Sequence, residues 1–352
     1  MTTSTHAPRS VTPEAQDWLA RALPEAVPPF HLVAITGGYS MLTSLMTDTA
    51  GNTWVLRQPP SGQSSGGAHD PFRESRTMAA LWESDVPVPR VRATGTSDDP
   101  LGPCHVTDFV DGLVLTEAAQ AQAALTPEAL RVATTNLVEA LAALHDVDPE
   151  AVGLGDLGPK ENYNGRQIRR WHSILDTLAE AAAPEVSRRI PGLRAVGDDL
   201  ARRLPVDTAG RLVHGDYRLG NTITATDGTI RAILDWELVT RGEPLADLGT
   251  LLVFWDPPIE AMLGTRVPTA APGSISADEV VDTYVGETGA DVSDLFLYRA
   301  LASWRLACLT LRTAVRFGDG AGNSDADPLL FLRTCDVWTS LAREQLSVRT
   351  GA

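Results

Sequence analysis

The sequence predicts an α+β protein in which a small antiparallel β lobe with one helix precedes a larger, mainly helical lobe. Short strand-like segments separated by glycine-containing turns fill the region up to about residue 110. Longer segments with apolar residues at helical spacing dominate the remainder of the chain. One β-hairpin interrupts these helices at Asp227-Gly228, a dipeptide that favours a two-residue turn.

The first lobe is predicted to follow a disordered segment over residues 1–11 and to span residues 12–110. Thr12-Pro13-Glu14 supplies a capping hydroxyl, a first-turn proline and a first-turn acid, which together indicate an opening helix. Strands are predicted at 31–36, 39–47, 52–57, 90–96 and 105–110, with a helix at 71–84.

The second lobe is predicted to span residues 111–352 and to consist mostly of amphipathic helices. These helices are expected at 126–145, 165–182, 185–204, 243–255, 277–287, 293–316 and 328–346. Three strands are expected within this lobe, at 212–213, 222–225 and 229–234.

Composition excludes several classes of partner. The 352 residues contain 29 basic and 45 acidic side chains, so a net charge of -16 would repel a nucleic-acid backbone or an anionic membrane. Three dispersed cysteines and the lack of a long apolar segment indicate a cytoplasmic protein without a membrane span. Only one basic residue, Lys160, is a lysine, and no oligomeric state is predicted.

The predicted hairpin brings polar side chains together at its open end. Folding the chain about Asp227-Gly228 pairs residues whose numbers sum to 455, so Asp235 lies across from Gly220 and next to Asn221. Asp216 lies five residues upstream of Asn221. Carboxylate and amide oxygens of this kind suit Mg²⁺, although aspartates at strand ends also serve ordinary turns.

Three segments around this hairpin resemble the aminoglycoside phosphotransferase-like (phosphotransferase enzyme) family, whose fold is the bilobal protein-kinase-like fold. They are His214-Gly215-Asp216 followed by Asn221, residues 233–237 with the sequence ILDWE, and residues 242–248 with the sequence GEPLADL. The chain is most similar to the branch found as the N-terminal kinase domain of some acyl-CoA dehydrogenase family proteins. Segments 54–60, 73–76, 86–89 and 166–171 carry that second resemblance.

The resemblance implies a kinase that moves the γ-phosphate of ATP, with GTP as the alternative, to a hydroxyl of a small molecule. Asp216 would accept the hydroxyl proton, and Asn221 with Asp235 would hold Mg²⁺. Arg218 would contact the transferring phosphate or serve a structural part, and both alternatives stay open. His214 and Asp247 are expected to brace the loop, while Glu237 is expected to lie behind the metal ligands.

The same resemblance assigns the nucleotide side of the site to the first lobe. Gly37 and Gly38, with Tyr39 and Ser40, would form a phosphate-covering loop whose backbone N–H groups approach phosphate oxygens. Residues 107–110 would form a hinge in which the backbone from Thr107 to Phe109 meets the adenine edge.

Arg57 stands where kinases of this fold carry a phosphate-binding lysine, and a guanidinium can also clamp phosphate. Glu74 lies four and seven residues before Met78 and Leu81, which places its carboxylate on the apolar face of the predicted helix. A buried charge needs a partner, and Arg57 fits. In the alternative, the helix is rotated and Glu74 pairs with a neighbouring arginine in solvent.

The acceptor is left open by the sequence. Acidic residues downstream of Asp247 suit a cationic aminoglycoside, whereas Arg170, Trp171 and Arg305 suit an acidic or acyl-bearing hydroxylated metabolite. A non-catalytic nucleotide-binding pseudokinase would be expected to lack Asp216, Asn221 or Asp235, and all three are present. A metal-dependent hydrolase would leave Arg57 and Glu74 without a role.

Overall fold

The computed structural model describes residues 9–35, 41–59, 70–181, 183–208, 210–255, 266–318 and 328–347. They form two compact units, which are treated separately below. The first unit comprises Met1–Val114 and Asn221–Val239, and the second comprises Leu115–Gly220 and Thr240–Ala352. The segment that carries Asp235 therefore groups with the first unit, whereas the predicted division at residue 110 assigned it to the second lobe. The predicted division into a nucleotide-binding lobe over residues 12–110 and a catalytic lobe over residues 111–352 stays a prediction.

The first unit is built on a six-stranded sheet in which every neighbouring pair is antiparallel, as predicted. Its order is β1-β2-β3-β4-β6-β5. The strands are β1 (Arg9–Ser10), β2 (His31–Ile35), β3 (Leu42–Thr47), β4 (Thr53–Gln58), β5 (Val91–Gly95) and β6 (Cys104–Asp108).

Two helices accompany this sheet. Helix α1 (Pro13–Ala22) begins where predicted, because the Thr12 hydroxyl accepts the backbone N–H of Ala15 at 3.3 Å. Helix α2 (Pro71–Leu81) begins after Asp70, whose carboxylate accepts the N–H of Phe72 at 2.9 Å. The core of the unit joins α1 to one face of the sheet through Leu19, Leu23, Phe30, Met46, Trp54, Leu56, Cys104 and Val106.

The hairpin formed by β8 (Thr222–Thr224) and β9 (Ile230–Ile233) also belongs to the first unit. Thr222 pairs with Ile233 and Ile223 with Ala232, which confirms the predicted register, and a bulge shifts the pairing at Thr224. The N–H of Leu234 donates to the carbonyl of Asn221 at 2.8 Å, so the register continues at the open end.

The second unit is mainly helical. Its helices are α3 (Ala118–Ala124), α4 (Pro127–Asp146), α5 (Tyr163–Ala181), α6 (Pro184–Ser187), α7 (Ile190–Arg203), α8 (Pro244–Val253), α9 (Ala277–Thr288), α10 (Leu295–Gly318) and α11 (Pro328–Ser347). A two-stranded sheet joins β7 (Arg211–Val213) to β10 (Thr240–Gly242).

Three details of the second unit differ from the sequence prediction. The single helix expected over 185–204 is divided into α6 and α7, because Pro191 lacks an N–H and starts a new first turn. Helix α3 and strand β10 were not predicted individually, since each is short.

Among the described residues, no helix is both long enough and apolar enough to cross a bilayer.

Candidate active site

The first unit brings Arg57 and Glu74 together as an ion pair. Arg57 lies on β4 and Glu74 on α2, and Nη1 of Arg57 is 3.0 Å from Oε2 of Glu74. Glu74, Met78 and Leu81 are all buried, so the predicted inward face of α2 is present. The alternative of a rotated helix is wrong, because only 1% of the Glu74 surface is exposed.

Burial controls the ionisation of Glu74. Burial raises the pKa of this carboxyl to about 7, against the positive charge of Arg57, which lowers it. The negative charges of Asp235, Glu237 and Asp70 raise the pKa further. Glu74 can therefore gain or lose a proton near neutral pH. Positive charge beside it favours the ionised carboxylate.

A cluster of three carboxylates surrounds this ion pair. Glu74, Asp235 and Glu237 each offer one oxygen, and these oxygens lie within 4.8 Å of one another. Nη2 of Arg57 is 3.8 Å from Oδ1 of Asp235, so the guanidinium of Arg57 faces two members of the cluster. We call these three residues the carboxylate cluster.

The carboxylate cluster fits a divalent cation. Among the described residues, neither Glu74 oxygen nor Oδ1 of Asp235 makes a hydrogen bond, although all three atoms are buried. Buried anionic oxygens without donors are costly unless a cation lies beside them. Oxygen-only ligands favour a hard ion such as Mg²⁺. The predicted ligand Asn221 is also buried, and its carbonyl accepts the N–H of the residue before Asp235.

Asp235 has an unusual backbone conformation. It adopts φ 65° and ψ 57°, in the left-handed region, two residues after the end of β9. Aspartate and asparagine tolerate this region better than most residues. A 3-10 turn over Trp236–Leu238 follows, and the buried Trp236 ring donates its N–H to the carbonyl of Ile233 at 3.0 Å. This anchored turn places Glu237 beside Asp235.

A buried histidine that the sequence analysis did not single out also contacts Glu74. Nε2 of His105, on β6, is 3.7 Å from Oε2 of Glu74. Burial and the charge of Arg57 lower the pKa of His105 to about 3, so the ring is neutral and adds no positive charge. His105 is opposite Arg57 in the register of β4 and β6, a pairing that the sequence alone did not predict.

The second unit contains the loop that carries Asp216. The carboxylate of Asp247, in the first turn of α8, accepts the backbone N–H groups of His214 at 2.5 Å and Gly215 at 2.8 Å. Gly215 has φ 86°, a conformation that favours glycine. The N–H of Asp216 points to Nδ1 of His214 at 3.3 Å. These contacts agree with the bracing role expected for His214 and Asp247.

A second layer of contacts holds Asp247 in place. Its Oδ2 is 3.4 Å from Nε2 of His145, and Nδ1 of His145 is 2.7 Å from the hydroxyl of Tyr284. Burial alone would raise the pKa of Asp247, but hydrogen bonds from His145 and Gly215 and the charges of His145 and His214 hold it below its usual value. An ionised carboxylate only accepts hydrogen bonds, so Nε2 of His145 donates. No sequence pattern predicted this chain of contacts.

Arg218 lies close to the proposed base. Its Nε is 3.6 Å from Oδ2 of Asp216, and its guanidinium carbon is 5.8 Å from the ring centre of Phe254. Both charged side chains are about one-third exposed, at 32% for Asp216 and 37% for Arg218. Contact of Arg218 with a phosphate stays a prediction.

The remaining predicted nucleotide contacts are only partly described. Thr107 lies within β6 and is paired with both Val55 and Val91, and Phe109 follows the strand with 42% of its surface exposed. Gly37, Gly38, Tyr39 and Ser40 lie outside the described residues, so the predicted phosphate-covering loop stays a prediction.

Solved structures with the same fold define the class of this protein. A candidate aminoglycoside phosphotransferase from Ralstonia eutropha aligns with a TM-score of 0.79 and 27% identity, covering 96% of this chain and 99% of that one. A streptomycin–ATP–APH(2")-IIa ternary complex aligns with a TM-score of 0.59 and 13% identity, covering 97% and 98%. The protein-kinase-like α+β fold predicted from the sequence is thereby confirmed.

The family assignment follows from the sequence matches. The model of the phosphotransferase enzyme family matches residues 31–273. The chain belongs to this family.

Acyl-CoA dehydrogenase family member 11 of Gallus gallus is 29% identical over 286 residues, which are 78% of this chain and 35% of that protein. The chain thus spans about a third of the length of this curated relative.

Changing Asp235 tests the carboxylate cluster as a cation site. Asp235→Asn keeps a residue that tolerates the left-handed conformation but removes one negative charge. We expect Mn²⁺ binding, followed by electron paramagnetic resonance, to weaken by about tenfold or more because a charged ligand is lost. Asp227→Asn, at the turn of the same hairpin, is the matched control and should bind Mn²⁺ as the wild type does.

Changing Asp247 tests the support of the Asp216 loop. Asp247→Asn replaces one accepting oxygen by an NH₂ group that faces a backbone N–H. The loss of one buried hydrogen bond is worth about 1–3 kcal/mol, so the His214 and Gly215 amides should exchange hydrogen roughly 5- to 150-fold faster. Unchanged exchange at both amides would contradict the bracing role; the control is Asp278→Asn, at an exposed position in the first turn of α9.

Proposed function

We propose that this protein is an ATP-dependent kinase that transfers the γ-phosphate to a hydroxyl of a small molecule. The observation that carries the proposal is the ion pair between Arg57 and the buried Glu74, beside Asp235. It combines a cation suited to phosphate with anionic oxygens suited to a metal, which are the two requirements of a nucleotide triphosphate site.

In the first unit, Arg57 is the proposed clamp for the α- and β-phosphates. Glu74 orients its guanidinium from within the protein, and a guanidinium can donate two parallel hydrogen bonds to phosphate oxygens. Asn221 and Asp235 would hold Mg²⁺, with Glu237 beside them. The bound ion would neutralise negative charge on the phosphates.

In the second unit, Asp216 is the proposed general base. It would accept the proton of the acceptor hydroxyl while that oxygen forms a bond to the γ-phosphorus. The bond between the γ-phosphorus and the β-phosphate oxygen breaks in the same step, and ADP leaves with the electron pair. Asp247 contributes by fixing the backbone on which Asp216 is carried, and Arg218 would meet the transferring phosphate.

ATP is the proposed co-substrate, supported by the ATP named in the ternary complex with the same fold. Backbone groups of Gly37, Gly38, Tyr39 and Ser40 would cover its phosphates. The backbone from Thr107 to Phe109 would meet the base, and GTP would fit the same description.

Two alternatives are tested by the same assays. An aminoglycoside O-phosphotransferase is favoured by the name of the Ralstonia eutropha structure, which is 27% identical. A nucleotide-binding pseudokinase would bind ATP without transfer, but Asp216, Asn221 and Asp235 are all retained.

Removing the proposed base should separate chemistry from nucleotide binding. For Asp216→Ala we expect kcat to fall by about 10²- to 10⁴-fold, the range for loss of a general base, with Mg-ATP affinity nearly unchanged. A mass-spectrometric screen of alcohols, aminoglycosides and hydroxyacyl thioesters for ATP-dependent phosphate incorporation supplies the acceptor. Retained turnover would exclude Asp216 as the base, and Asp291→Asn in an exposed loop is the control.

Removing the proposed phosphate clamp should affect ATP more than the acceptor. For Arg57→Ala we expect the KM for ATP to rise by about ten- to a hundredfold, because a charge-assisted hydrogen bond contributes about 1.5–3 kcal/mol. Arg57→Lys keeps a positive charge beside Glu74 and should restore part of the ATP affinity. An unchanged ATP dependence in Arg57→Ala, with the fold intact by circular dichroism, would show that the clamp lies elsewhere.

A further inference from the structure

Three arginines of the second unit lie on two helices that pack against each other. Arg170 is on α5, and Arg305 and Arg312 are on α10. The last two are seven residues apart, close to two helical turns, and therefore occupy the same face of α10. Partial burial and the charges of Arg305 and Arg312 lower the pKa of Arg170, which agrees with their proximity.

This arginine cluster has no acidic counterpart in the described part of the chain. None of its three members lies within 4.0 Å of a carboxylate oxygen there, whereas Arg189 and Arg241 of the same unit each have one. This lack of carboxylate partners is unexpected from the composition, because acidic residues outnumber basic ones by 45 to 29. Like charges held together are unfavourable unless an anion balances them.

The arginine cluster is connected to the loop that carries the proposed base. Nη2 of Arg305 donates to the carbonyl of Gly215 at 3.2 Å, and Gly215 immediately precedes Asp216. One member is thus fixed to the backbone beside Asp216. Arg170 and Arg312 are exposed and therefore accessible to an anionic molecule.

We propose that the arginine cluster binds an anionic group of the acceptor, a carboxylate or a phosphate, while the acceptor hydroxyl is presented to Asp216. This inference rests on the proposed kinase function and specifies its substrate class. Planar guanidinium groups recognise both anions through paired N–H donors. A cationic aminoglycoside would meet repulsion from the same three charges.

The first experiment compares acceptors that differ only in charge. One set of acceptors consists of neutral glycerol and two anionic relatives, glycerate and glycerol 3-phosphate. A second set consists of 3-hydroxybutyrate and its neutral amide. Kanamycin represents a cationic acceptor. We expect kcat/KM for an anionic acceptor to exceed that of its neutral counterpart by at least about tenfold. Comparing kcat/KM for glycerate with kcat/KM for glycerol 3-phosphate shows whether a carboxylate or a phosphate is preferred.

Variants then assign the preference to the cluster. Arg170→Ala and Arg312→Ala should each lower kcat/KM for the anionic acceptor by about ten- to a hundredfold, with little change for the neutral one. Arg299→Ala, also exposed on α10 but on a different face, is the matched control. Faster transfer to neutral or cationic acceptors than to anionic ones would overturn the inference and leave the proposed kinase function standing.

A second measurement does not depend on turnover. Arginine modification by phenylglyoxal, mapped by mass spectrometry, is carried out with and without inorganic phosphate or butyrate. We expect these anions to protect Arg170, Arg305 and Arg312 but not Arg299. Equal modification with and without both anions would overturn the anion site. Protection without ATP-dependent transfer to any acceptor would instead support the anion site and overturn the proposed function.

Discussion

The buried carboxylate of Glu74 is the constraint on which the arrangement of the first unit depends. A carboxylate with 1% exposure cannot remain charged unless positive charge lies beside it, and Arg57 supplies that charge from β4. Asp235 and Glu237 add two further carboxylates near the same guanidinium. The contacts of Arg57 therefore link α2, β4 and the segment after β9 in one local environment. The proposed metal site and the proposed phosphate clamp both depend on this local arrangement of charge.

The second unit uses a buried carboxylate in the opposite way. Asp247 is as deeply buried as Glu74, at 1% exposure, yet its pKa is lowered while that of Glu74 is raised. The difference lies in the donors, because Asp247 accepts two backbone N–H groups and faces His145, whereas Glu74 makes no hydrogen bond among the described residues. The hydrogen bonds to Asp247 therefore favour its ionised form, whereas the charge of Glu74 responds to nearby cations.

The charge near Gly215 has the opposite sign to the net charge of the chain. A net charge of -16 would attract cations over most of the surface, yet the arginine cluster beside Gly215 is positive. Relatives that share the fold carry names that include an aminoglycoside phosphotransferase and an acyl-CoA dehydrogenase family member. Because the chain spans about a third of that last relative, the acceptor is better inferred from local charge than from its name.

The sequence by itself determined the antiparallel sheet, most helices, the register of the hairpin and the inward face of Glu74. Those features depend on turn residues and on periodicity, which are local properties of the sequence. The choice of Arg57 as the partner of Glu74 came from the family resemblance. The sequence also carried the motifs that place the chain in its family.

Only the tertiary structure decided which distant residues share one environment. His105 beside Glu74, Tyr284 and His145 behind Asp247, and Arg305 beside Gly215 come from elements separated widely along the chain. The pKa values follow from burial and from the number of donors around each group, and neither quantity exists before the helices and strands have packed.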